Sequence, residues 1–109
     1  MAVAPPTAAF RARVRAWAER LDVRVRRLAV RPMRNKWASC STAGTVTFSA
    51  DVAALDPALQ DYVIVHELLH LAVPNHGKLW KSLMRVHLGD YEALDARLRC
   101  GGLGRRGIA

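Results

Sequence analysis

One segment constrains the fold of this 109-residue chain more than any other, because both of its ends and its chemistry are marked in the sequence. Asp56-Pro57 is a typical helix start, with Asp56 as the N-cap and Pro57 in the first helical position. Pro74 is a stop, because proline cannot continue a helix. An HExxH motif at residues 66–70 lies between these signals. The sequence therefore predicts a helix from Pro57 to about Ala72 that carries two histidines and a glutamate.

The residues of this motif have the spacing of a metal site. His66 and His70 are four positions apart, so a helix presents both from one face, where they can bind one ion. Glu67 lies beside that face, within reach of a water on the metal. His76 follows six positions after His70, beyond a turn that could return it to the metal. We therefore expect a catalytic Zn²⁺ site with Glu67 as general acid/base, and the expected ligands are His66, His70 and His76.

Two alternatives stay open at this point. HExxH patterns also arise by chance, and the segment would then be a core helix with incidental histidines, although burying them without partners costs free energy. The third ligand could also lie further along the chain, where glutamate-type zinc proteins place it. The other candidates for that ligand are Asp90, Glu92, Asp95 and His87, but the short turn after the helix favours His76.

The remaining segments predict an α+β domain with a small three-stranded antiparallel sheet. The predicted elements are, in order, a helix at 8–21, strands at 23–31, 37–40 and 45–49, the helix at 57–72, and C-terminal helices at about 78–87 and 90–99. The apolar phase of the first strand slips by one residue near Arg26–Arg27, which predicts a bulge there. Trp37 and Trp80 are expected in the core.

Length and composition limit the class of protein. The chain is long enough for one domain with a single core, so we take 1–109 as one domain, with 1–7 and 101–109 expected to be flexible. No apolar run approaches the roughly 20 residues of a membrane span, and no secretory signal is recognisable. Cys40 and Cys100 have no pairing pattern and are expected to be reduced thiols. We therefore expect a cytoplasmic protein without membrane contact, and the sequence does not indicate its oligomeric state.

The net charge of +8 is concentrated in the first third of the chain. Residues 11–36 contain ten Lys or Arg and two acids, whereas residues 37–109 contain seven of each, so the first segment carries the whole excess. Such a surface can bind nucleic acid or another anionic partner. A solvated arginine-rich face is the simpler interpretation, because no interleaved aromatic residues or nucleic-acid motif accompany the arginines.

The residues around the histidines resemble the YgjP-like metallopeptidase family, a zincin-like group of predicted metal-dependent hydrolases. The resemblance covers roughly Leu28 to Leu98. It rests on residues 34–41, which resemble the family's Arg-Trp-Gly-Ser-Cys-Ser segment, on residues 61–70, and on Asn75-His76. It implies a zincin-like minimal domain in which Glu67 is the catalytic acid/base and the zinc ligands are His66, His70 and His76.

Some positions depart from the family pattern. Ala38, Gly77 and Lys81 stand where the family usually has glycine, serine and tryptophan, which leaves the substrate open. The predicted helix at 8–21 replaces a longer N-terminal β region and implies a more open cleft. The histidine spacing is also similar to that of the SprT-like and WLM-type proteases that act on DNA-bound proteins. Metzincins are set aside, because they need a glycine where this chain has Val73.

Several other residues are candidates for the site. Arg34 and Tyr91 could contact the substrate or an oxyanion, whereas Ser39 and Cys40 are expected to be strand residues rather than nucleophiles. The strand at 45–49 could be an exposed edge to which a peptide substrate adds. Together these features predict a zinc metallopeptidase acting on a peptide or protein. The alternatives are a hydrolase of a non-peptide anionic substrate such as a nucleotide, and a DNA-associated SprT-like protease or binding module.

Overall fold

The structure, a computed structural model, describes residues 6–41, 43–73, 77–100 and 107–108. The helices are α1 (Pro6–Leu21), α2 (Pro57–Ala72), α3 (Lys78–Leu88) and α4 (Tyr91–Cys100), the strands are β1 (Arg27–Arg31), β2 (Lys36–Cys40), β3 (Thr45–Ser49) and β4 (Gly107–Ile108), and a short 3₁₀ helix spans Ala50–Ala54. The predicted α+β class is confirmed. The helix that carries the HExxH motif begins and ends where the sequence predicted.

Helix α2 begins at its predicted cap. Asp56 is extended, and its carboxylate accepts a hydrogen bond of 3.1 Å from the backbone N–H of Leu59. This bond satisfies one of the donors that a helix start leaves open. Arg97 of α4 also donates to the Asp56 carboxylate. Every residue from 62 to 69 is buried, because β2, α1, α3 and α4 pack around this helix.

The sheet is mixed, which corrects the prediction of an antiparallel sheet. Its strand order is β1-β3-β2-β4. The hairpin strands β2 and β3 are antiparallel, but β1 pairs with β3 in parallel, and β4 pairs with β2 in parallel. Consecutive strands with short connections usually lie side by side. Here β3, and not β2, lies beside β1, and β3 runs in the same direction as β1.

The position of β3 overturns one functional prediction. Because β3 pairs with β1 on one side and with β2 on the other, it is internal and cannot receive a peptide substrate as an added strand. Gly107–Ile108, which the sequence placed in a flexible end, pair with Lys36 and Ala38 of β2. Residues 1–5, 101–106 and 109, which made up most of those ends, lie outside the described residues.

Strand β1 is shorter than predicted and starts after the change of apolar phase. The N–H groups of Arg26 and Arg27 both donate to the carbonyl oxygen of Gly44, at 3.0 and 3.3 Å. Gly44 has a φ of +93°, which glycine adopts more readily than other residues. From Arg27 to Arg31 the register of β1 with β3 is unbroken. The predicted bulge within a longer strand is therefore wrong, because residues 23–26, where the first apolar phase lies, precede β1.

Helix α1 packs against both the sheet and α2. The ring of Phe10 meets Phe48 of β3 edge to face, with the centroids 5.1 Å apart. On the side towards α2, Arg13 and Trp17 bind the carboxylate of Asp61. Both Trp37 and Trp80 are buried, as predicted. None of the helices in the described ranges has both the length and the apolar character needed to cross a membrane.

Candidate active site

The two histidines of the HExxH motif lie side by side on α2, as their spacing predicted. Their ring centroids are 5.0 Å apart, with an angle of 72° between the ring planes. His66 is buried, and His70, one turn later, is partly exposed. The two side chains therefore lie in a line from the core to the surface. Two imidazoles one helical turn apart are a common half of a zinc site, which needs a third protein ligand and an open position.

Aromatic side chains hold these imidazoles in place. The ring of Trp80, on α3, lies 5.0 Å from that of His66 and 6.1 Å from that of His70, the second contact being stacked. Tyr62, one turn before His66, packs edge to face on it at 5.8 Å. These contacts limit the rotation of both rings. The sequence predicted that Trp80 is buried, and the structure shows that its ring forms one wall of the site.

A hydrogen-bonded carboxylate of α4 lies near His66. Asp95 accepts bonds of 2.6 Å from the hydroxyl of Tyr62 and 2.7 Å from Nε of Arg99. Burial favours a raised pKa for Asp95, but these two donors outweigh burial and hold its pKa below the usual value. Asp95 is therefore an anion at neutral pH. The sequence marked Asp95 only as a candidate metal ligand and did not indicate its bond to Tyr62.

Burial also sets the protonation of His66. It lowers the pKa of His66 to about 4, although the negative charge of Asp95 acts in the opposite direction. The imidazole is therefore neutral at neutral pH, which is the form that can coordinate a metal.

Glu67 is the most deeply buried acid of the site. Its exposed fraction is 0%, and its Oε1 lies 3.7 Å from Nδ1 of His66. Cys40 of β2 lies next to it: burial and then the negative charge of Glu67 raise the pKa of the Cys40 thiol to about 11. A protonated thiol is a poor nucleophile. Ser39 and Cys40 are both residues of β2, as predicted, but the sequence did not indicate that Cys40 adjoins Glu67.

The predicted third ligand is not among the described residues. His76 lies outside them, together with Pro74 and Asn75, so its role stays a prediction. Within residues 6–41, 43–73 and 77–100, no three His, Cys, Asp or Glu side chains are grouped closely enough to hold a metal ion. A three-ligand site would therefore need a residue beyond these ranges, such as His76.

The alternative third ligands have other contacts. Asp95 binds Tyr62 and Arg99, as described above. Asp90 accepts a bond of 3.2 Å from the N–H of Ala93 at the start of α4, Glu92 pairs with Arg85 at the surface, and the ring of His87 packs on Trp17 at 6.1 Å. These contacts favour structural roles for the four residues.

The structure separates the two candidate substrate contacts. Tyr91 is buried at the start of α4, and its ring packs on that of Trp80 at 6.0 Å, so it supports the aromatic wall beside the histidines. Arg34 is exposed in the connection between β1 and β2 and makes no hydrogen bond or ion pair with the part of the site that the structure describes. The structure therefore brings Tyr91 towards the histidines, whereas a substrate contact by Arg34 stays a prediction.

Comparisons with known proteins identify the family of this chain and similar folds. The family model described as "YgjP-like, metallopeptidase domain" matches residues 6–100. The metallopeptidase zymogen of Pyrococcus abyssi abylysin has a similar structure, with a TM-score of 0.75, 20% identity, and coverage of 90% of this chain and 99% of that chain. The metallopeptidase zymogen of Methanocaldococcus jannaschii jannalysin is also similar, with a TM-score of 0.72 and 25% identity, and the match covers 83% of this chain and 91% of the jannalysin chain. A search of curated protein sequences found no match. None of these similarities supports nucleic-acid binding.

Proposed function

Because this chain belongs to the YgjP-like metallopeptidase family, we propose that it is a zinc-dependent peptidase whose catalytic centre lies on α2. The proposed general acid/base is Glu67, and the proposed zinc ligands are His66, His70 and His76. Family membership implies a metal-dependent peptidase that acts on a peptide or protein. The observation that carries the finer proposal is the pairing of two adjacent imidazoles with a fully buried carboxylate on one helix.

The donor set fits zinc better than a hard cation. Zinc takes imidazole nitrogen readily and forms catalytic sites from three protein ligands. Magnesium and calcium prefer oxygen ligands in larger numbers. The first two donors here are the ring nitrogens of His66 and His70, and the depressed pKa of His66 keeps its ring neutral. The fixed aromatic neighbours of both rings reduce the entropy lost when a metal binds.

The proposed chemistry is a general acid/base hydrolysis of a peptide bond. Bound zinc would supply a Lewis acid and lower the pKa of its water to about 7. Glu67 would accept a proton from the attacking water and pass it to the leaving amide nitrogen as the C–N bond breaks. Its burial suits this role, because a carboxylate shielded from bulk solvent interacts strongly with nearby charge. Cys40 beside it remains protonated and does not compete as a nucleophile.

A non-peptide anionic substrate has less support. The rings of Tyr62 and Trp80 pack on the histidines, and the nearest acid to His66 is the carboxylate of Glu67, at 3.7 Å. A phosphate ester would be expected to need cationic groups beside the metal. Arg34 is exposed, and the family description favours a peptide.

The test is cleavage of a quenched fluorescent peptide library by the zinc-loaded full chain. We expect Glu67→Gln to retain zinc but to lose about 10²-fold or more in kcat, because the proton acceptor is gone. The matched control is Glu92→Gln, the same substitution at an exposed acid of α4, which should leave kcat unchanged. Zinc content is measured in each sample. Equal turnover by wild type and Glu67→Gln, or turnover of nucleotides but no peptide, would contradict the proposal.

A further inference from the structure

The second half of α1, the connection that follows it and the start of β1 enclose a small cleft of about 150 Å³. The residues that line it are Val14, Arg15, Ala18, Val23, Val25 and Leu28. Its floor is aliphatic, and the exposed Arg15 stands at its rim. A cleft of this size and composition suits a single aliphatic side chain.

A second, cationic cavity lies along the same segment. It has a volume of about 300 Å³, and Arg26, Arg27, Ala43 and Thr45 line it. Residues 23–28 therefore line both spaces. Val23, Val25 and Leu28 line the aliphatic cleft, and Arg26 and Arg27 line the cationic cavity. A ligand that follows this segment would meet an apolar pocket flanked by positive charge.

No acid in the described part of the chain neutralises the arginines near β1. Those exposed here are Arg15, Arg24, Arg26, Arg27 and Arg31, and none forms an ion pair within the described part of the chain. The arginines of α3 and α4 differ, since each is paired with a carboxylate. Only two acids, Glu19 and Asp22, lie in residues 11–36. This imbalance leaves a positive field that favours an acidic ligand.

The backbone of β1 is also available for pairing. No strand in the described ranges pairs with its outer side, because β1 is the last strand of the sheet. The N–H of Arg27 points inward to Gly44, so the alternate residues Leu28 and Val30 direct their N–H and C=O groups outward. The outward carbonyl of Leu28 already accepts a bond of 3.2 Å from the guanidinium of Arg11, so an added chain would pair with the N–H of Leu28 and with the N–H and C=O of Val30. An extended chain can add to such an edge.

We propose that the β1 edge binds an extended acidic peptide segment, with one aliphatic side chain in the cleft beside α1 and its carboxylates on the arginines. Bidentate arginine–carboxylate contacts would supply specificity. A peptide fits better than a nucleic acid for two reasons. A strand edge offers hydrogen bonds that only a peptide backbone completes, and the cleft lining includes no aromatic ring on which a base could stack.

This docking site is separate from the histidines. Strand β3 lies between β1 and β2, and it is β2 that packs on α2. At a strand spacing of about 4.8 Å, the β1 edge is roughly 10 Å from β2. Binding there requires neither metal nor catalysis, so this inference stands or fails independently of the proposed peptidase activity.

The test uses a fluorescein-labelled heptapeptide, Glu-Asp-Glu-Leu-Asp-Glu-Asp, whose anisotropy is measured as the full chain is added. Binding should weaken at least about tenfold when the acids are replaced by lysine, and should fall with added salt. Methylation of alternate backbone nitrogens of the peptide should also weaken binding, because it blocks strand pairing without changing charge. Chelation of metals should leave binding unchanged.

Charge reversal on the protein supplies the second arm of the test. The double variant Arg15→Glu/Arg24→Glu should bind at least about tenfold more weakly, whereas the matched control Lys81→Glu on α3 should stay within about twofold. Thermal unfolding confirms that each variant is folded, and the single Arg15→Ala and Arg24→Ala variants replace the double one if it is not. Equal binding of the acidic, lysine and methylated peptides would overturn the proposal. Displacement of the peptide by a single-stranded oligonucleotide at lower concentration would replace it with nucleic-acid binding.

Discussion

The hydroxyl of Tyr62 donates a hydrogen bond of 2.6 Å to Oδ1 of Asp95, which joins α2 to α4 one turn before His66. Burial first, and then this bond, raises the pKa of Tyr62, so the group remains a donor at any working pH. Asp95 is held from the other side by Arg99. The contact therefore fixes α4, and with it Tyr91 and the aromatic wall, against the helix that carries the histidines.

Removal of this hydroxyl should destabilise the fold. We expect Tyr62→Phe to lower the free energy of unfolding by about 1–2 kcal/mol, because a buried hydrogen bond to a charged acceptor is lost. Urea denaturation measures the change. Arg85→Gln is the control: it breaks the exposed pair with Glu92 and should cost less than about 0.5 kcal/mol. Equal effects of the two substitutions would show that the contact does not stabilise the docking of α4.

Asp61 should be important for the docking of α1. Its carboxylate accepts bonds of 2.6 and 3.1 Å from Arg13 and 2.8 Å from Nε1 of Trp17. We expect Asp61→Ala to cost about 1–3 kcal/mol in unfolding free energy, because the ring nitrogen of Trp17 and the guanidinium of Arg13 lose their acceptor. The matched change Glu19→Ala, at an exposed acid of the same helix pair, should be nearly neutral. A neutral Asp61→Ala would contradict this interpretation.

The metal-free protein should lose stability as the pH falls from 6.5 to about 4. The pKa of His66 is about 4 in the folded chain, against an ordinary value of 6.5, so the unfolded chain takes up this proton first. The contribution of His66 to the free energy of unfolding is therefore complete above pH 6.5 and is lost by about pH 4, a difference of ~3 kcal/mol. Denaturation at stepped pH measures it. His66→Asn should flatten this part of the profile, and an unchanged slope in that variant would assign the effect to other groups.

Gly44 should tolerate a methyl group less well than Gly89. Both glycines have positive φ, +93° and +69°, but an added Cβ at Gly44 would lie 2.9 Å from Cγ of Arg26, whereas nothing lies within 4 Å at Gly89. We expect Gly44→Ala to cost about 1 kcal/mol more than Gly89→Ala in unfolding free energy. Adding Arg26→Ala to Gly44→Ala should recover part of the loss. No recovery would show that the backbone conformation accounts for the whole cost.

Local signals predicted the scaffold of the site well. Asp56-Pro57 marks the start of α2, and the spacing of His66 and His70 put their rings together. Each of these features depends on residues within a turn or two of one another, so the sequence pattern contains the information directly. The starts of α3 and α4 follow for the same reason.

Features that join distant parts of the chain were not predictable in this way. The bond between Tyr62 and Asp95 spans 33 residues, and the one between Arg13 and Asp61 spans 48. The position of β3 between β1 and β2 was not predictable either, because short strands with similar sequence patterns can pair in more than one order. Periodicity states which face of a strand is buried, but not which strand lies beside it. For this reason the sequence predicted neither the parallel pairing of β1 nor the internal position of β3.

The central claim is a zinc site made by three histidines, and metal analysis of the purified chain tests it most directly. Wild type, Glu67→Gln, His76→Ala and the control His87→Ala are offered zinc, dialysed and measured. We predict about one zinc per chain in wild type, Glu67→Gln and His87→Ala, and loss of zinc in His76→Ala, because two imidazoles alone bind weakly. Wild type without zinc, or His76→Ala that retains it as fully as wild type, would contradict the account.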